Sequence, residues 1–337
     1  MKKSLLALAI AATAATSVQA AEIYSKDDTK VSLKGEVDIY LTTSEKDKLA
    51  GGVDKKEADV STWAKIQLDA EQKINESVTA FASFEIESDG SAAKFDDVLV
   101  GFKTETWGMA FGETGDLAES MDAIQKDDIT NEGNYMGSTG GHHKESSGNG
   151  VVFKGKFVEN LTIVADVNTD ETENVDNTYG ISADYSFGAV SVGASYVTGD
   201  AAENVDHSVA GVSVSAEFGA LYLAATYAQF EGNQGYGYWE LTGANWGNGN
   251  TMGVAAAYQL EEVRLYTTYS VATTDELTVG TTTTSVSDQD STNLVVGADY
   301  AFRDNILFFA EYQTADYENG TTTLDADGIT AGVYYTF

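Results

Sequence analysis

Asp327 to Phe337 read DGITAGVYYTF. Ile329, Ala331, Val333, Tyr335 and Phe337 fall on one side of an extended chain, and Thr330, Gly332, Tyr334 and Thr336 on the other, because side chains alternate along a strand. One face is apolar and the other more polar. A strand ending on an aromatic suits the closure of a membrane barrel, with its last ring at the lipid boundary. The ends of a soluble sheet, by contrast, usually fray. An ordinary amphipathic terminal strand fits these residues as well, so the choice passes to the rest of the chain.

At the other end, Lys2 and Lys3 precede an apolar run from Leu5 to Ala15 and then Val18-Gln19-Ala20. A charged segment, a short apolar segment and a small-residue site are the parts of a secretory signal peptide. The run is too short and too rich in alanine to cross a bilayer as a helix. Cleavage is expected after Ala20, leaving residues 21–337 as one exported domain. No later stretch approaches the roughly 18 consecutive apolar residues of a membrane helix, which excludes a helical membrane protein. The sequence has no Cys, so no disulfide framework exists.

The formal charge is −34, and loss of Lys2 and Lys3 brings it to −36. Such a field repels polyanions and attracts cations, which excludes a basic-patch nucleic-acid binder. Hydrophobic residues at 42% and aromatics at 11% are too many for an acidic disordered chain. Mean hydropathy is −0.21, a soluble-looking value that a membrane barrel shares, since only alternate residues meet lipid. The absence of Pro suits long uninterrupted strands.

Strand patterns recur over 30–44, 60–73, 77–88, 94–103, 106–113, 149–157, 161–169, 178–187, 189–198, 207–218, 220–230, 251–260, 263–274, 292–302, 305–317 and 327–337. The predicted fold is all-β, with about 16 strands. Short connections near 74–76, 104–105, 158–160, 187–189, 218–220, 260–262 and 302–304 alternate with long ones at 45–59, 88–93, 114–148, 170–177, 199–206, 231–250, 275–291 and 318–326. A transmembrane antiparallel up-and-down β-barrel, with tight turns at one rim and loops at the other, gives that alternation. Greek-key sandwiches do not keep it so regularly.

Several strands display two faces. Val31, Leu33, Val37, Ile39 and Leu41 alternate with Ser32, Lys34, Glu36, Asp38 and Tyr40, and Val78, Ala80, Ala82, Phe84 and Ile86 with Thr79, Phe81, Ser83, Glu85 and Glu87. Charges on one face imply a wet interior if the apolar face meets lipid, or a solvent face if it meets a second sheet. A barrel of about 16 strands is too wide for side chains to fill and encloses an aqueous channel. Phe187, Phe218, Tyr258, Tyr300, Phe302, Phe308, Phe309, Tyr334, Tyr335 and Phe337 recur beside the short turns, where a membrane interface favours aromatics.

The third long connection, 113–147, is acidic: Glu113, Asp116, Glu119, Asp122, Asp127, Asp128, Glu132 and Glu145 against Lys126 and Lys144. Leu117–Ile124 has the pattern for one or two helical turns. Folded outward it is a solvated acidic loop; folded inward its carboxylates narrow the pore and set ion preference.

Taken in order, AEIYSKDDTKVSLKGEVDIYL at 21–41, STWAKIQLDAEQKIN at 61–75, VLVGFKTETWGMAFGETGD at 98–116 and AGVYYTF at 331–337 resemble the general trimeric porins of Gram-negative outer membranes. That resemblance implies a 16-stranded barrel in the outer membrane, a homotrimer, and a third loop folded into the lumen. It sets Asp128 and Glu132 as constriction acids, with Asp116, Glu119 and Asp127 beside them. Lys65 sits where the family places a wall Arg, and Lys144 corresponds loosely to another basic wall position. Val333, Tyr335 and Phe337 are the expected assembly signal of the closing strand. The implied partners are a second and third copy of the chain, outer-membrane lipid and lipopolysaccharide, the barrel-assembly machinery, and small ions and solutes. The chain departs from the family in Asn131-Glu132-Gly133-Asn134, which replaces a Pro-containing loop motif, in having only Arg264 and Arg303 as arginines, and in its short second loop, 88–93. The scarcity of arginine points to a more negative lumen, and the short second loop departs from the one that in the family latches onto a neighbouring subunit.

No catalytic constellation is expected. His142-His143 with Glu145 lacks a further metal ligand, and Asp206-His207-Ser208 is adjacency without triad geometry, read as a loop-to-strand junction. No cofactor is implied. Gly235–Gly253 carries Tyr236, Tyr238, Trp239 and Trp246, either a sugar-binding mouth or a plain surface loop. The expected function is a passive, cation-preferring diffusion channel. The alternatives are an oligosaccharide-specific porin, or an adhesin or enzyme on a barrel scaffold.

Overall fold

The computed structural model describes residues 20–48, 51–115, 117, 119–134, 150–236, 239–240 and 245–337. The strands are β1 (Ala21–Lys26), β2 (Thr29–Asp47), β3 (Val53–Lys73), β4 (Thr79–Ser88), β5 (Ala93–Lys103), β6 (Trp107–Gly112), β7 (Gly150–Val158), β8 (Leu161–Asn168), β9 (Thr178–Phe187) and β10 (Val190–Ala202). They continue as β11 (Val205–Phe218), β12 (Leu221–Asn233), β13 (Gly235–Tyr236), β14 (Trp239–Glu240), β15 (Asn245–Leu260), β16 (Val263–Val279), β17 (Thr282–Arg303), β18 (Ile306–Glu318) and β19 (Thr323–Thr336).

Sixteen of these close into one antiparallel barrel. From β2 each strand pairs with the next through β12, β12 pairs with β15, the pairing continues to β19, and β19 returns to β2. The short β1 pairs with β2 over Thr29–Leu33, while β19 pairs with β2 over Glu36–Lys46. Since β3 occupies the other edge of β2 throughout, β1 and β19 lie end to end along a single strand position. Phe337 completes the junction, exchanging backbone hydrogen bonds with Gly35 at 2.8 and 2.9 Å.

The polarity of the barrel is inverted. Val37, Ile39, Leu41, Ile66 and Ile86 are exposed, whereas Glu36, Asp38, Gln67 and Glu85 on the alternate positions are buried. A water-soluble domain does the reverse. An apolar belt this extensive needs a non-aqueous surrounding, which identifies the outer face as the lipid face and the inner one as the polar face. Exposed Phe187, Phe218, Tyr258, Tyr300, Phe302, Phe308, Tyr335 and Phe337 stand beside the short turns on the outer face. Phe309 and Tyr334 correct the expected belt: they lie on the inner face, 5% and 2% exposed, with ring centroids 4.8 Å apart. Their parity is that of Glu311 and Thr330, not of Phe308 and Tyr335.

The tight turns follow the expected positions. Four of them bend through a left-handed residue, Asn160 at φ 62°, Gly188 at φ 64°, Gly219 at φ 63° and Glu261 at φ 52°; Gly and Asn are the types that tolerate that region most readily. At the opposite rim the strands outrun the sequence pattern. The Thr-rich run around 281–284 belongs to a hairpin in which β16 and β17 pair to Val279↔Thr282. There the outer face no longer meets lipid, so apolar alternation stops while backbone pairing continues. His207 also lies within β11 rather than at its junction; it is buried, with Nδ1 3.1 Å from the Glu231 carbonyl oxygen.

Candidate functional site: the lumen wall and the third loop

Between β6 and β7 the described residues form a strap against the inner wall. A single 3-10 turn, Ser120–Ile124, occupies part of the stretch where helical turns were expected. Met121 and Ile124 are fully buried in a cluster with Val197, Val209, Ala228, Phe230 and Ala272. These are inward positions of β10, β11, β12 and β16, so the wall carries a local apolar patch that receives the loop. Close approach needs small residues: a Cβ at Gly193 would stand 1.8 Å from the Ala123 carbonyl oxygen, and one at Gly211 2.5 Å from Ile124 Cδ1.

Polar contacts extend the strap in both directions. Upstream, Asp166 accepts the Ser120 backbone N–H. Lys126 donates to Asp184 and to Ser191 Oγ, and Tyr222 donates to the Lys126 carbonyl at 2.6 Å. Downstream, Glu311 accepts from the backbone of Asn131 at 2.6 Å and of Glu132 at 2.8 Å, and Gln313 accepts from Asn134 at 3.1 Å. The Asn131 side chain donates to Tyr266 Oη at 2.7 Å. At Ser120, Asn131 and Glu132 the wall supplies a carboxylate and the loop a backbone N–H donor, a charge-assisted arrangement stronger than neutral pairing.

The expected acids divide into two groups. Asp127 is 1% exposed and accepts from Thr226 Oγ1 at 2.5 Å, so it anchors the loop rather than presenting a carboxylate to passing ions. Glu119 is also buried, and its backbone N–H donates to Asp122 Oδ2 at 3.2 Å at the start of the turn. Asp128 and Glu132 are half-buried. Glu132 Oε1 accepts from Tyr334 Oη at 2.6 Å, which joins the loop to the inner aromatic pair and to Tyr40, whose ring lies 6.1 Å from that of Tyr334. Asp116, Lys144, His142, His143 and Glu145 lie outside the described residues.

Four basic side chains on the inner face are held by wall acids, and a fifth, Lys154, is buried on β7. Lys65 bonds Glu85 at 2.9 Å and lies 5.5 Å from the Trp63 ring centroid. Lys103 meets Glu71 at 2.6 Å, and Lys34 meets Asp69 at 3.5 Å. Arg264 donates to Asp299 through Nε at 2.8 Å and Nη2 at 2.5 Å, covers the Tyr266 ring at 4.3 Å, and reaches the Ile129 carbonyl at 3.1 Å through Nη1. Arg264 is the main wall residue that sequence reasoning missed. Its signal was present: between Val263 and Leu265 it shares the inward parity of Tyr266 and Thr268. Among the described residues no group of three or more His, Cys, Asp or Glu side chains is arranged to hold a metal.

Trp239 of β14 and Trp246 of β15 also turn inward. Trp239 is 4% exposed and packs with Ala315, Tyr317, Leu324 and Ala326, and Trp246 is 6% exposed. These two indoles are therefore unavailable as an open sugar-stacking surface.

The chain matches the family model "Gram-negative porin" over residues 7–320. A monosaccharide porin from Halomonas sp. is 28% identical to it, with all of both chains covered. Among solved structures, OmpF of Salmonella typhi superposes with a TM-score of 0.70 at 18% identity, covering 94% of this chain and 100% of that one. OmpT of Vibrio cholerae in its trimer form gives 0.66 at 17% identity, covering 92% and 100%. With its closed barrel, lipid-facing apolar surface and polar lumen, the chain belongs to the Gram-negative porins, non-enzymatic channel proteins of the outer membrane.

Proposed function

We propose that the chain is a homotrimeric, cation-preferring pore for passive diffusion of ions and small hydrophilic solutes. In this reading the described residues of the third loop cross the lumen and narrow it. The observation that supports the ion preference is that five lumen-side cations, Lys34, Lys65, Lys103 and Arg264 of the wall and Lys126 of the loop, each meet a carboxylate. The remaining acids of a chain with net charge −34 then dominate the field in the water-filled space. Asp128 and Glu132 are the proposed filter acids. Lys65 is the proposed basic wall residue, and its partner is Glu85. The trimer reading draws on OmpT of Vibrio cholerae, which has a trimer form. Removal of residues 1–20, assembly through Val333, Tyr335 and Phe337 by the barrel-assembly machinery, and contact with outer-membrane lipid and lipopolysaccharide complete the proposal.

Planar-bilayer recording of the refolded mature chain under a KCl gradient tests this reading. Conductance in steps of three with a cation-selective reversal potential is the expected result, and anion selectivity overturns the filter. A substrate-specific channel is the second reading, favoured by the monosaccharide porin of Halomonas. Under it, micromolar sugar blocks the current; a general pore shows no block.

A further inference from the structure

Two successive outward rows cross strands β9 to β12. The row nearer the short turns runs from Tyr185 on β9 to Ala225 on β12, and the next from Ala183 to Tyr227. Together they line a groove of about 650 Å³ on the outer face, within the range of about 300–1,000 Å³ usual for small-ligand sites. Its floor is the row between them, Gly193, Ser213 and Thr226, whose parity is inward. The groove exists because side chains on both faces are small here. Ala183, Ala194 and Ala225 leave the outside hollow. Inside, a Cβ at Gly193 would stand 1.8 Å from the Ala123 carbonyl oxygen, and Thr226 Oγ1 donates to Asp127 at 2.5 Å. A single backbone layer thus separates the groove from the seat of the third loop.

On β9 the groove starts two residues beyond the Phe187↔Val190 pair that closes the β9–β10 turn, and on β12 it ends six residues beyond the Phe218↔Leu221 pair. At about 3.3 Å per residue and a strand tilt of about 40°, it climbs from about 5 to about 15 Å above the short-turn rim, in an apolar band about 25 Å tall. Short turns face the periplasm in such barrels. The groove therefore runs obliquely up the periplasmic half of the band, the course of an acyl chain in that leaflet. It is continuous with the lipid face, since Ile181, Phe187, Tyr196 and Leu223 around it are exposed. We propose that it holds one acyl chain of a periplasmic-leaflet phospholipid. The lining carries no charged side chain, so the chain is recognised rather than a particular headgroup. Tyr185, with its ring centroid 6.0 Å from that of Phe187, lies at the interface, where a phenol has an apolar body and a polar tip. Its hydroxyl is the donor for a glycerol ester carbonyl. The held chain supplies the packing contacts that small residues leave unfilled behind the loop seat. The inference rests on the outer-membrane lipid contact proposed above.

The test reconstitutes the mature chain in phosphatidylethanolamine vesicles with a trace of phosphatidylcholine bearing a diazirine midway along one acyl chain. Photo-adducts are mapped by peptide mass spectrometry. Tyr227 in the groove and Tyr269 and Tyr312 away from it are each 45% exposed, and each stands six residues above its own short turn. Labelling of Tyr227 several-fold above that of the other two is expected. Adducts on none of the three overturn the lipid contact itself. Equal labelling overturns only the site, and so does weaker labelling of Tyr227, the result if a second copy of the chain covers this face. Ala194→Phe fills the groove and is expected to bring Tyr227 down to the level of Tyr269, whereas Val296→Phe, outward on β17, leaves the excess in place. An excess that survives Ala194→Phe overturns the groove as its cause. A further measurement needs no variant. Native mass spectrometry of wild type in detergent is expected to show one retained phospholipid per chain, and none retained overturns the proposal.

Discussion

The Glu311 carboxylate and the backbone of Asn131, 180 positions apart in sequence, are joined at 2.6 Å, and the second carboxylate oxygen takes the next amide, Glu132, at 2.8 Å. One wall side chain thus fixes two consecutive peptide groups of the third loop. Tyr266 Oη adds a bond to the same carboxylate at 2.7 Å. Glu311→Gln places an NH2 group against an N–H donor. Hydrogen bonds to charged groups contribute about 1.5–3 kcal/mol each, so the distal part of the loop should loosen. The expected outcome is increased open-channel current noise with the barrel's heat stability little changed. Noise equal to wild type would show that Gln313 and the 3-10 turn hold the loop without Glu311.

The upstream half of the strap should respond to bulk rather than charge. Gly193→Val suits a strand but drives a side chain into the Ala123 carbonyl, 1.8 Å from the position of its Cβ. The loop must lift, which strips Met121 and Ile124 from their cluster. Exposing two such side chains costs about 1.5–3 kcal/mol each. Conductance and solute cut-off should change together, measured in bilayers and by swelling, while the barrel still folds. An unaltered channel would place the turn away from the limiting section.

Asp128→Asn with Glu132→Gln should lower cation selectivity and leave trimers intact on gels. Tyr334→Phe separates position from charge, since it removes the 2.6 Å bond to Glu132 but no carboxylate. Its effect on reversal potential should be smaller than that of the double variant. An unmoved potential in the double variant would put the filter elsewhere on the wall. In wild type the preference should fall with salt, because fields are screened over about 10 Å at 0.1 M.

Arg264→Met removes the cation beside Asp299, itself 7% exposed. Leaving a buried carboxylate without its partner costs about 3–5 kcal/mol, and the Ile129 carbonyl loses a donor. The unfolding temperature on gels should drop. Selectivity in surviving channels should shift further toward cations. A shift toward anions would reverse the electrostatic reading of the lumen.

The barrel was legible because its surroundings impose a period of two: Ile39, Leu41, Ile66 and Ile86 had to face lipid, and the alternation recorded it. All sixteen barrel strands were placed, including the short β6. Where lipid ends, the pattern ends, which is why the upper parts of β3, β16 and β17 read as loops. The short β1 was missed for a related reason: it covers only the lower end of β2. The strap was harder to read. Its acids were visible, but not which of them turn to the wall; Asp127 is buried against Thr226, on a strand about a hundred residues away, while its neighbour Asp128 stays half-buried. The need for glycine at 193 and 211 comes from the turn packed on them, which no strand pattern records.

The shared strand position of β1 and β19 bears on how the molecule is made. Every other barrel pair joins segments that follow each other in the chain, so each can zip locally as it emerges. The seam joins Glu36 to Thr336, and loop-closure entropy makes such a contact late. Until then both edge strands present unpaired backbone groups, which neither lipid nor a crowded aqueous compartment tolerates for long. Cylinder closure is thus a commitment step: weakening the β2–β19 register should slow biogenesis and expose nascent chains to aggregation and proteolysis, while changing the finished pore little.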